Sequence, residues 1–124
     1  MEFYVSGKVG AEDDVKTCIQ HLLKAGHEIT LDWTKIDACK PYDEDIVGNT
    51  KIANEMILGI EDADVFVLIP HSGGVGMYVE LGIALGLGMP VCIITKDEFR
   101  SIFYCQPSVK ILDSVDELIE EFAD

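Results

Sequence analysis

The stretch Asp64-Val65-Phe66-Val67-Leu68-Ile69-Pro70-His71-Ser72-Gly73-Gly74-Val75-Gly76-Met77-Tyr78-Val79-Glu80-Leu81-Gly82-Ile83-Ala84-Leu85-Gly86-Leu87-Gly88-Met89-Pro90-Val91-Cys92-Ile93-Ile94 decides the fold. Val65 to Ile69 is apolar without alternation, as a central parallel strand covered on both faces requires. Pro70 ends that run. A glycine-rich loop follows, then a helix carrying Val79, Ile83, Leu85 and Leu87, then a second apolar strand from Val91 to Thr95. Strand, loop, helix and strand in this order form a βαβ unit with a right-handed crossover.

The same grammar extends outward in both directions. Phe3 to Ser6 reads as an opening strand. Val15, Cys18, Ile19, Leu22 and Leu23 mark one face of a helix from about 11 to 25, which Gly26 stops. Glu28 to Asp32 is a short second strand. Residues 35 to 48 are polar and broken by Pro41 and Gly48, so they read as a loop. A helix from about Thr50 to Glu61 has Ile52, Met56, Ile57 and Ile60 inward. Val109 to Leu112 suits an edge strand, and Asp113 or Ser114 caps a last helix running to Phe122. The pattern predicts a single α/β domain over residues 1–124, with a parallel sheet of about five strands and four helices. Ligands in such sheets bind beyond the carboxyl ends of the strands. The loops Gly7-Lys8-Val9-Gly10, Trp33-Thr34 and Ser72 to Gly76 are therefore the ones to watch.

Composition narrows the partners. The chain has 124 residues, 48% of them apolar, enough for one real core. Its net charge of −14 repels polyanions, which argues against a nucleic-acid polymer as partner. A small nucleotide is still compatible, because one local pocket can oppose the global field. No apolar run reaches the ~20 residues of a membrane span. Met1-Glu2 runs straight into the first strand without a leader, so a cytoplasmic protein is expected. Cysteines 18, 39, 92 and 105 and histidines 21, 27 and 71 show no ligand spacing, and neither a metal nor a cofactor is expected.

Glycines 73, 74 and 76 let backbone N–H groups approach a ligand, and the helix that follows aims its positive end at the same place. Glu80 is placed in the first turn of that helix, where the dipole would hold its carboxylate ionised, as a nucleophile or general base requires. A plain helix-start preference for glutamate is the alternative reading.

The run Gly76 to Val91, with Ala63-Asp64-Val65-Phe66-Val67-Leu68-Ile69 before it and Phe3-Tyr4-Val5-Ser6-Gly7 at the start, resembles the nucleoside 2-deoxyribosyltransferase superfamily. Deoxynucleoside 5′-monophosphate N-glycosidases also belong to that superfamily. The resemblance implies a flavodoxin-like three-layer fold in which Glu80 attacks the anomeric carbon of a deoxyribose, with cleavage or transfer at the N-glycosidic bond of a (deoxy)nucleoside or nucleotide. Tyr4 would orient Glu80 and the sugar, or merely pack at the edge of the cleft. It implies a second acid on the second helix, where this chain has Asn54-Glu55-Met56. Glu55 fills that role only with a one-residue offset, and otherwise belongs to a solvated face. Ser6, Gly7, Lys8, Ser72, Gly73, Gly74 and Gly76 become candidate substrate-binding residues. Trp33 either stacks on a base or covers the sheet edge, and Asp32 is placed to meet a ribose hydroxyl. A homodimer or larger homo-oligomer is also implied. Hydrolase and transferase both remain open, as do a non-catalytic nucleotide-binding module and a TIR-like NAD glycohydrolase.

Overall fold

The computed structural model describes residues 1–124. Five strands form one all-parallel sheet in the order β2-β1-β3-β4-β5. They are β1 (Glu2–Gly7), β2 (Glu28–Ile29), β3 (Val65–Ile69), β4 (Val91–Ile94) and β5 (Val109–Leu112). Four helices connect and close the sheet: α1 (Asp13–Lys24), α2 (Ile46–Asp62), α3 (Gly76–Gly86) and α4 (Val115–Glu121). This is the flavodoxin-like order, with its switch point between β1 and β3. Helices α1 and α4 pack together on one face, and α2 and α3 on the other. No helix is long and apolar enough to cross a membrane.

Period-two alternation along β1 divides its side chains between the two layers. Phe3 turns toward the α1/α4 layer, where its ring meets those of His27 and Phe122 edge-on at 5.0 and 5.2 Å. Tyr4 turns toward α2. Helix α2 comes so close there that a Cβ on Gly59 would sit 3.2 Å from the Tyr4 ring. Gly7 plays the matching part on the other face, because an added Cβ would lie 2.5 Å from Val15 Cγ2. Val15 is fully buried and has nowhere to move. Gly7→Ala is expected to destabilise the chain by about 1–3 kcal/mol, read as a lower midpoint in urea. An unchanged midpoint would mean that α1 can shift outward at no cost.

Three stretches depart most from the sequence reading. The sheet keeps only Glu28 and Ile29 of the second strand. Beyond them Thr30 Oγ1 donates to the Gly59 carbonyl at 2.6 Å, and Asp32 caps a 3₁₀ turn over Trp33–Lys35. Helix α2 starts at Ile46, four residues before Thr50, because the Asp45 carboxylate accepts from Gly48 N at 3.0 Å. Gly48 belongs to that first turn instead of breaking it. A side chain at 48 would collide with the capping carboxylate. Finally, the 35–48 segment holds a 3₁₀ turn at Tyr42–Glu44 and is tied down by Asn49, whose Nδ2 donates to the carbonyls of Cys39 and Tyr42 at 3.0 and 2.9 Å.

Candidate active site

Tyr4 and Ser6, two apart on β1, project from the same face of the sheet, and both hydroxyls donate to the Glu80 carboxylate. Ser6 Oγ reaches Oε1 at 2.9 Å, and Tyr4 Oη holds Oε2 in a short hydrogen bond. Parallel pairing of β1 with β3 sets this up: Tyr4 lies opposite Phe66 and Ser6 opposite Leu68, so both stand beside the strand from which α3 departs. The Tyr4 ring stacks on that of Phe66 at 5.9 Å, which fixes where its hydroxyl points.

Glu80 is the fifth residue of α3, which corrects its expected place in the first turn. The helix dipole fades within the first turn, so it does not hold this carboxylate ionised. Burial pushes the Glu80 carboxyl above its ordinary range, and the hydrogen bonds from Tyr4 and Ser6 pull back against that shift. The Tyr4 phenol is driven far upward, first by burial and then by the neighbouring Glu80 charge, so it stays a neutral donor. Tyr4→Phe removes a bond that favours the carboxylate. It is expected to move the acid limb of any Glu80-dependent activity to higher pH and to lower kcat about 10-fold or more. A rate loss with an unmoved acid limb would assign Tyr4 to packing alone.

The carboxylate stands in the wall of a cavity of about 1110 Å³ between α2, α3 and the loops at the carboxyl ends of β1 and β3. A second depression, of about 640 Å³, lies across α3 beside Arg100 and Phe103 and has no carboxylate in its lining. The larger cavity is therefore the candidate active site. It brings together Glu80, Gly7, Lys8, Trp33, Gly73, Gly74 and Gly76 from the sequence reading. Gly73 has φ +78° and faces Lys8, whose Nζ would lie 3.5 Å from an added Cβ. A Cβ on Gly74 would strike the Met77 thioether at 2.8 Å from its sulfur. These two glycines let the β3–α3 loop fold down over the site.

Of the expected residues, Tyr4, Ser6, Asp32, Glu55 and Ser72 stand outside the lining. Ser6 is fully buried behind the wall, and its hydroxyl serves Glu80. Tyr4 is likewise fully buried, and its hydroxyl is directed to Glu80 and not to the cavity. Ser72 is exposed on the loop and absent from the lining. Glu55 is exposed on α2 outside the cavity, while its neighbour Met56 lines it. The reason is helical: Ile52, Met56 and Ile60 share the inner face, and Glu55 turns about 100° away from Met56. Trp33 is 5% exposed, lines the cavity, and donates its indole N–H to the Val5 carbonyl at 2.7 Å. Asp32 is engaged by Thr34 N at 3.1 Å and does not reach the lining. The sequence reading missed the roof residues Ile36, Asp37, Lys40 and Tyr42. Pro41 marked that segment as loop, but nothing local says that it joins α2 and the loop after β1 in lining the cavity.

Comparison of the sequence with protein-family models and with curated proteins gives no match. In three dimensions the chain is similar to a solved structure of the Clostridium botulinum CMP N-glycosidase BcmB, with a TM-score of 0.66. The likeness covers 98% of this chain and 97% of that one at 13% sequence identity, and it shows a shared fold over the whole domain.

Proposed function

We propose that this chain breaks the N-glycosidic bond of a small nucleoside or nucleotide, with Glu80 as nucleophile. The observation that carries this reading is the Glu80 carboxylate, gripped by two hydroxyls from β1 and presented to a cavity large enough for such a ligand. The fold shared with BcmB, a CMP N-glycosidase, adds support.

In this reading one Glu80 oxygen attacks C1′ of the sugar as the bond to the base breaks. A glycosyl ester forms, and water or an incoming base resolves it with overall retention at C1′. Tyr4 and Ser6 keep both carboxylate oxygens aimed while the charge on Glu80 disappears in the ester and returns on its release. Incubation with nucleosides, deoxynucleotides and NAD, followed by chromatography for free base, tests the proposal. Base release that survives unchanged in Glu80→Gln would end it.

One observation favours a second reading. No acid from α2 reaches the cavity, so a protein that binds a nucleotide without cleaving it fits the same walls. Calorimetric binding of the intact ligand, with no free base after prolonged incubation, would select that reading.

A further inference from the structure

Breaking an N-glycosidic bond leaves the electron pair on the base nitrogen, and a neutral base then needs a proton donor as it departs. The ionisable side chains lining the cavity are Lys8, Glu12, Asp37, Lys40, Tyr42 and Glu80. All except Glu80 belong to the two rim segments, the β1–α1 loop and the 36–42 roof. Asp37, Lys40 and Tyr42 are exposed, Lys40 lies 5.8 Å above the Tyr42 ring, and Lys8 rests against Gly73. Glu12 accepts from Gly10 N at 2.9 Å, and this bond holds it below the ordinary carboxylate range, so it has no proton to give. The inner wall that α2 presents is Ile52, Ala53, Met56, Ile57 and Ile60. Tyr4 and Ser6, the hydroxyls nearest the carboxylate, already donate to it. The interior thus supplies a nucleophile and no acid.

Resting on the N-glycosidase reading, we infer that the substrate is an N-glycoside whose base is already a cation, such as an N-alkylated purine or a pyridinium ring. The electron count then closes without a proton donor. One Glu80 oxygen forms a bond to C1′, the C1′–N bond breaks, and its pair neutralises the ring. An anion and a cation become a neutral ester and a neutral base. Water next attacks C1′, Glu80 leaves as carboxylate, and one proton passes to solvent.

Charge annihilation of this kind gains most where water is scarce, and Glu80 sits in such a place, its carboxyl raised first by burial. The remaining features fit a cationic ring. Three carboxylates line the cavity against two lysines, inside a chain of net charge −14.

The test compares base release from 7-methylguanosine, 7-methyl-2′-deoxyguanosine and nicotinamide riboside with release from guanosine, 2′-deoxyguanosine, cytidine and CMP. The full chain is used, and release in Glu80→Gln is subtracted as background. The expected result is a kcat/KM about 100-fold or more higher for at least one cationic substrate than for every neutral one. The methylpurine and pyridinium arms then say which ring is preferred. Nicotinamide riboside, if cleaved, is expected to show no alkaline limb up to about pH 8, since no acid has to stay protonated. Equal or faster cleavage of the neutral compounds overturns the inference and leaves the N-glycosidase reading standing. No release from any of these compounds overturns the inference, and no release from NAD and the deoxynucleotides as well overturns the N-glycosidase reading with it.

Discussion

Glu80→Gln is expected to lower base release by about 10⁴-fold or more while leaving the folded chain at least as stable at neutral pH. Glutamine keeps the size of the side chain and an oxygen that can accept from Tyr4 or Ser6, but it cannot attack C1′. The stability half follows from the direction of the Glu80 shift. Its folded-state carboxyl lies above the ordinary 4.5 because burial outweighs the two hydrogen bonds. Between the unfolded and the folded values, the native chain holds a proton that the unfolded chain has lost. Stability in the wild type therefore falls as pH rises from about 4.5 through the folded value, and Glu80→Gln lacks this loss. Urea unfolding at several pH values checks it: the gap in favour of the variant should widen with rising pH and then level off. A gap that narrows instead would mean that Tyr4 and Ser6 outweigh the desolvation. Retained activity, whatever the gap, would remove Glu80 from the chemistry.

Trp33→Ala is expected to destabilise the chain by about 3–5 kcal/mol, the cost of emptying a large buried aromatic site. The ring is almost fully enclosed, is part of the main core cluster, and holds the Val5 carbonyl from a segment that has already left the sheet. Trp33→Phe separates packing from hydrogen bonding. It keeps most of the ring but leaves the Val5 carbonyl without this donor, at about 1–3 kcal/mol. Because Trp33 also forms the cavity wall, both variants should raise KM more than they lower kcat. If Trp33→Ala costs under ~1 kcal/mol, the 30–36 segment does not depend on this anchor.

How much of this was readable in advance depended on distance along the chain. The βαβ unit from Val65 to Ile94 was legible because an unbroken apolar run, a glycine loop and an apolar helix are all local patterns. The end of the second strand was not. Leu31 and Asp32 suit a strand as well as they suit a capped turn, and the choice is made by Thr30 reaching the Gly59 carbonyl and Trp33 reaching Val5. Gly48 misled in a similar way: its helical place depends on a capping carboxylate three residues earlier. Glu55 and Met56 show the sharpest limit. Adjacent residues on a helix face about 100° apart, and only the docked orientation of α2 says which one enters the cavity.

For Glu80, the sequence by itself determined its setting: a helix after a buried central strand and a glycine loop, at the carboxyl end of a parallel sheet. Only the tertiary structure decided what holds its carboxylate. Tyr4 and Ser6 lie 76 and 74 residues away, and they reach it because β1 pairs with β3 in one register and alternates its side chains between layers. Local periodicity encodes which face of an element is buried. It does not encode which partners meet there, because that follows from strand order and register across the sheet. The helix dipole expected to keep Glu80 charged thus gives way to two hydroxyls acting against burial, and that balance sets how readily the carboxyl gives up its proton.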